Sequence, residues 1–206
     1  MDTTRFVLGV LLIVGLPPAI CYWLLIHPLV DFWRKIGPRA TLILVGALSF
    51  LVGWAVYLFR HTILGRDLGT SWILVGIGVL LYGVSAWISV LTKRQLAVRT
   101  LAGLPELSRK GSEDSLLQAG VYGVIRHPRY VSVIIGTAGF AMVVNYVGAY
   151  LMVLGTIPAL YLVVIFEERE LLSRFGSPYQ KYQSQVPAFF PKTLKGEQTR
   201  ENPWHS

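Results

Sequence analysis

The chain has a single cysteine, Cys21, and it lies inside an apolar run. One thiol supplies neither a disulfide framework nor a cysteine-based metal site. Charge is also scarce, at 15% of the 206 residues. There is no Walker loop, no Gly-x-Gly-x-x-Gly and no His-Glu-x-x-His, which argues against a soluble Rossmann-type nucleotide site. The stretch Tyr130–Phe166 holds no charged residue at all.

What is abundant is apolar. Hydrophobic residues make up 53% of the chain and the mean hydropathy is +0.54. That is the composition of one small membrane domain. The formal net charge of +8 sits in short connections between apolar runs. Anionic headgroups and the positive-inside rule account for it, and no nucleic-acid partner is implied.

Five spans are expected, making an all-α integral membrane protein with a C-terminal cytoplasmic helical tail. Phe6–Ile26 is long enough to cross about 30 Å of hydrocarbon. Arg5 is balanced by Asp2 and no small-x-small cleavage site follows, so it reads as a retained helix, bent at Pro17-Pro18, not a signal peptide. His27–Arg39 reads as a loop, Ala40–Phe59 as the second span, and Arg60–Thr70 as a polar loop. Thr70 or Ser71 is placed to cap Ser71–Thr92, the third span. Gly76, Gly78 and Gly83 there suit close helix packing.

Residues 93–119 form the one long polar connection. Basic and leucine-rich by turns, it reads as an interfacial segment or a plain linker. Tyr130–Phe166 is too long for one span and long enough for two short helices with a tight turn, for which Asn145 and Gly148 are candidates. The helix continues over Glu167–Phe175 to Gly176. Ser177-Pro178 then reads as a cap and first turn, and Tyr179, Tyr182 and Val186 share one face before Pro187. Residues 192–206 read as a frayed tail. The whole is one domain, with three spans over 1–92, the connection over 93–119, and a hairpin with tail over 120–191. Sixteen of the nineteen Lys and Arg fall on one face, leaving Arg5, Arg60 and Arg66 on the other. The richer face is expected to be cytoplasmic and the N-terminus outside.

Two stretches carry chemistry. In Leu116–Tyr130, LLQAGVYGVIRHPRY, Pro128 sets a helix start and groups Arg126, His127 and Tyr130 around it. Unpaired first-turn N–H groups and the positive end of the helix dipole suit an anion such as a carboxylate. The plain alternative is an interfacial anchor. In Phe166–Pro191, Glu167 and Glu168 stand together at the end of an uncharged span, where folding does not need them. Their plain alternative is a solvated face paired with Arg126, Arg169 or Arg174.

Taken together, the stretches resemble the isoprenylcysteine carboxyl methyltransferase and phospholipid N-methyltransferase superfamily of integral membrane enzymes. The resemblance rests on Leu116, Gly120-Val121-Tyr122, Arg126-His127-Pro128 and Tyr130-Val131. It runs on through Asn145, Glu167-Glu168, Leu171, Phe175-Gly176, Tyr179, Tyr182, Val186-Pro187 and Pro191. It covers the last half of the chain. Ser132 departs from the pattern, where the family often has Gly.

The resemblance implies S-adenosylmethionine bound at the cytoplasmic face by the final hairpin and tail. Its implied site residues are Tyr122, Arg126, His127, Pro128, Tyr130, Glu167, Glu168, Tyr179 and Tyr182, with Arg126, Glu167 and Glu168 the catalytic candidates. Arg126 and His127 suit the cofactor's carboxylate, and Glu167 or Glu168 its ammonium. Tyr130 can face the sulfonium. The acceptor is expected to be lipophilic, with a carboxylate, amine or thiol to be methylated; membrane lipids are the surroundings. A sterol-type reductase using NADPH shares Arg-His-Pro and the Val-Pro ending. A non-enzymatic membrane scaffold is the remaining alternative.

Overall fold

The computed structural model describes residues 2–95 and 116–191. The expected interfacial segment therefore falls outside the described residues over 96–115, as does the expected frayed tail from 192 onward. The described residues form eight α-helices and one 3-10 turn. They are α1 (Asp2–Ile26), α2 (Val30–Ile36), α3 (Pro38–Leu58), α4 (Arg60–Leu64) and α5 (Trp72–Gln95). The 3-10 turn (Gly120–Gly123) leads to α6 (Pro128–Val144), α7 (Val147–Phe175) and α8 (Ser177–Gln185).

Helices α1, α3, α5 and α7 are long and apolar enough to cross a membrane. The other expected span is α6, an apolar helix of 17 residues. At 1.5 Å per residue it is about 25 Å long. Helices satisfy their own backbone, which hydrocarbon demands. Apolar side chains such as Ile43, Phe50, Trp54, Ile73, Leu80 and Trp87 point outward, as contact with lipid requires.

Several connections differ from the sequence expectation. The stretch His27–Arg39 is not a simple loop, because α2 lies within it and Pro38 already opens α3. Gly37, at φ 93°, makes the turn between them. The stretch Arg60–Thr70 holds α4. Ser177 is the first residue of α8 and makes no side-chain cap; Gly176, at φ 59°, precedes it.

The tight turn between α6 and α7 is made by Asn145, in the left-handed region at φ 52°. Its amide donates to the Gly69 carbonyl (2.8 Å) and its own carbonyl accepts from Leu68 N–H (3.1 Å). Gly148, the other candidate, lies inside α7, where a Cβ would collide with the Ile63 carbonyl. It serves packing, not turning. Arg5 completes this end of the bundle. It makes a two-pronged pair with Asp67 (2.8 and 2.7 Å) and donates to the carbonyls of Gly69 (2.9 Å) and Val144 (3.1 Å).

Helix α5 packs along α6, while α1 packs against α3, α6 and α7. The α5–α6 contact is close because both sides are small. A Cβ on Gly139 would fall 2.6 Å from the Gly78 carbonyl oxygen. Two to three turns along, the Ser132 hydroxyl meets those of Ser85 (3.1 Å) and Ser89 (2.6 Å). Ser132 thus faces α5 and closes this seam with polar bonds instead of bare backbone contact.

Two outcomes test this packing. Gly78→Leu should lower the thermal midpoint in detergent, by overpacking worth about 1–3 kcal/mol. Gly76→Leu, with open space at its Cβ, should leave it unchanged. The Arg5 guanidinium holds the Asp67 carboxyl below its ordinary value. The pair's stability is therefore complete above the unfolded carboxyl value of about 4 and is lost as pH falls through the folded value. Asp67→Asn should flatten that acid limb of the stability profile.

Candidate active site

The end of α7 remote from Asn145 gathers residues from four parts of the chain. The 3-10 turn begins at Gly120, at φ 60°, where a Cβ would run into the Gln95 side chain. The chain then passes through a bend at Arg126 to His127, the residue before α6. Here it pairs with the tail: Arg126 N–H donates to Pro187 O (2.9 Å) and His127 N–H to Ala188 O (3.0 Å). Pro128 then starts α6 within its first turn.

Glu168 is the centre. Its Oε1 accepts from Arg126 Nε (3.0 Å) and Nη2 (2.6 Å) and lies 2.9 Å from His127 Nε2. Its Oε2 accepts from Gln183 Nε2 (2.9 Å). Arg126 Nη1 donates onward to the carbonyls of Gln183 and Val186, where α8 ends. One carboxylate thus ties α7, the start of α6 and α8 together. Charge-assisted bonds of this kind are the strong ones.

Glu167 serves a neighbouring set. Its Oε2 accepts from the Tyr130 hydroxyl (2.6 Å) and lies 3.8 Å from His127 Nδ1. Tyr130 in turn accepts from Arg129 Nη2 (2.8 Å). The Arg129 guanidinium lies over the Trp23 ring of α1, 4.2 Å from its centre. His127 is buried, with the rings of Tyr130 and Phe189 5.8 and 5.9 Å away.

The tail tyrosines form the other wall. Tyr179 and Tyr182 are buried, their ring centres 6.0 Å apart. Tyr182 donates to the Tyr122 carbonyl (2.7 Å). Burial pushes the Tyr182 phenol up to about 12, and pushes Tyr122 and Tyr179 up as well. All three are neutral phenols at physiological pH, so they can hold and donate but cannot serve as bases. The Tyr179 hydroxyl is buried with no hydrogen-bond partner among the described residues, an unmet donor of a kind that folded proteins seldom leave.

All nine residues singled out in the sequence therefore lie at one end of the bundle. Gln183, Arg129 and Trp23 were not among them. Gln183 carried a usable signal, since it lies one residue after Tyr182 on a short helix already read as docking. Trp23 carried none, because an aromatic residue in a span is ordinary.

The last helices of the bundle thus close an Arg-His-Pro turn onto a Glu-Glu pair. The family model described as phospholipid methyltransferase matches residues 73–177, half of the chain, and the chain belongs to that family. It is similar to a protein-S-isoprenylcysteine O-methyltransferase of Schizosaccharomyces pombe, 32% identical over 41% of this chain and 36% of that protein. It is similar to methanethiol S-methyltransferase 2 of Bradyrhizobium diazoefficiens, 25% identical over 82% of this chain and 66% of that protein. A nickel-cobalt-cadmium resistance protein of Alcaligenes xylosoxydans xylosoxydans is 32% identical over 41% of this chain and 38% of its own length. The matches thus span from about a third to just under two thirds of these curated relatives. No solved structure matches.

The Glu168 knot makes a stability difference measurable. Glu168→Gln leaves Arg126 and His127 without their anion, and should lower stability by about 1.5–3 kcal/mol. Glu167→Gln, which keeps an acceptor for Tyr130, should cost less. Thermal unfolding of the two purified variants, side by side, checks the order.

Proposed function

We propose that this protein is an S-adenosylmethionine-dependent methyltransferase of the membrane interface, acting on a lipophilic acceptor. The observation that carries the reading is the closure of Arg126, His127 and Tyr130 onto Glu167 and Glu168 under the tail. The names of two relatives support it, one acting on isoprenylcysteine and the other on methanethiol. S-adenosylmethionine supplies a methyl group on a sulfonium, activated without help from the protein.

The residues present fit such a cofactor. Its amino-acid end is a zwitterion, and the Arg126–Glu168 pair offers the two opposite charges at one place. Arg126 and His127 would face the carboxylate, and Glu168 or Glu167 the ammonium. Glu167 uses only Oε2 in its contacts with Tyr130 and His127. The partnerless Tyr179 hydroxyl offers a further donor beneath the tail. Tyr130, held by Arg129 and Glu167, would present its ring face or its oxygen towards the sulfonium.

The chemistry then asks for alignment and for dryness. Pro128, Tyr182 and Tyr122 fix the turn and the tail that provide both. A carboxylate acceptor needs no base. An amine or thiol must lose a proton, and Glu167 would take it. In the membrane, α6 would be the fourth of five spans, with α8 on the same side as both termini of the α6–α7 hairpin. The charge bias would put that side in the cytoplasm.

Calorimetry on the purified chain tests the cofactor reading. S-adenosylhomocysteine should bind, and His127→Ala or Tyr130→Phe should weaken it about ten- to hundredfold. Binding of NADPH in its place would instead favour a reductase. A reporter fused after Ser206 should be active only in the cytoplasm, and activity on the outer side would overturn the orientation.

A further inference from the structure

A second feature of the same end of the bundle lies outside the Glu168 knot. Between the end of α1, α2 and the last turns of α7 is a cavity of about 440 Å³. Its lining includes His27, Val30, Arg34, Arg169, Glu170 and Arg174. Phe166 lines it too. Positions 166 and 170 each stand two residues from Glu168, about 200° around the helix. The cavity therefore opens on the face of α7 turned away from Glu168.

Its chemistry is cationic. Three guanidiniums line it against one carboxylate, and Glu170 lies 3.5 Å from Arg34. Guanidinium forks match phosphate oxygens better than any other side chain does. The wall also contains an unmet polar group. His27 is only 3% exposed, and neither ring nitrogen has a hydrogen-bond partner among the described residues. Its ring stacks on Trp23 at 5.2 Å, which fixes its orientation. A buried imidazole with two idle nitrogens calls for an outside partner.

The depth of the cavity says where that partner comes from. Leu29, Phe32 and Ile36, on and beside α2, are exposed apolar side chains around Arg34. A short segment with apolar and basic residues side by side lies at the boundary between headgroups and acyl chains. That places the guanidiniums at the level of lipid phosphates, within reach of the bilayer as well as of water.

We propose that this cavity binds the phosphate group of an anionic membrane lipid, its oxygens met by Arg34, Arg169 and Arg174 and by one N–H of His27. The cavity faces away from Glu168, while Glu167 stays within electrostatic reach of His27. The lipid anchors the α1–α2 corner to α7 and so holds Trp23 against Arg129. Burial lowers the His27 pKa, with Arg129 adding to this and Glu167 opposing it. The ring is then a neutral donor, which suits a phosphate oxygen without adding a buried charge.

Native mass spectrometry of the purified full chain tests this without any use of methyl transfer. Wild type should retain phosphatidylglycerol over phosphatidylcholine by about tenfold or more, the loss expected when charged hydrogen bonds go. The double variant Arg169→Gln, Arg174→Gln should lose the preference. Arg60→Gln, at the opposite end, should keep it. Millimolar inorganic phosphate that displaces the lipid, or lipid that binds where phosphate alone does not, would both support the site. Retention of free phosphate with no preference between the lipids would overturn the lipid source. An equal preference in wild type and double variant would overturn the site itself. Both altered arginines are at the surface or half-buried, so folding is not at risk, and unchanged S-adenosylhomocysteine binding in the variant would separate this result from the cofactor reading.

Discussion

One carboxylate holds the candidate-site end of this protein together. Glu168 collects Arg126, His127 and Gln183, and through Arg126 it also fixes the carbonyls that end α8. Removing water from such a group is costly unless every lone pair finds a donor. The structure meets that demand by bringing three separate elements to the same two oxygens. These bonds, with the buried rings of Tyr179 and Tyr182 and with Phe189 packed beside Tyr130, dock the tail.

The opposite end uses the same device with different residues. Arg5 and Asp67 pair across the bundle, and Asn145 stitches the α6–α7 turn to the loop before α5. Between the two ends the helices have no such charges to work with. Lipid tails are as apolar as leucine, so association there depends on close approach and short polar bonds. Gly78, Gly139 and the Ser85, Ser89 and Ser132 hydroxyls supply both along α5 and α6. Ionic clasps at the ends and small residues in the middle are a division of labour set by depth in the membrane.

The site could be gathered from the sequence because its chemistry-bearing residues break local rules. Two glutamates end an uncharged span, and a proline sits behind an arginine and a histidine. Such breaks stand out against a background of apolar residues. The partners that complete the site break nothing. Gln183 is an ordinary polar residue on a short helix, and Trp23 and Arg129 sit where interfacial aromatic and basic residues usually sit.

The sequence by itself determined the helical membrane class, a tight turn within residues 130–166, the continuation of the last long helix past Glu168 and the grouping of the candidate site residues. Each follows from short-range causes: apolar run length, a left-handed turn residue and the stereochemistry of proline. It did not reveal α2 and α4, because five to seven residues are too few to show a helical period. It did not separate the turning role of Asn145 from the packing role of Gly148, because the Ile63 carbonyl that excludes a Cβ there is some eighty residues away. Nor did it say which donor each glutamate would take. Only the tertiary structure decided that Arg126 and His127 meet Glu168 while Tyr130 meets Glu167, because hydrogen bonds are set by distances across helices, and sequence spacing does not encode those distances.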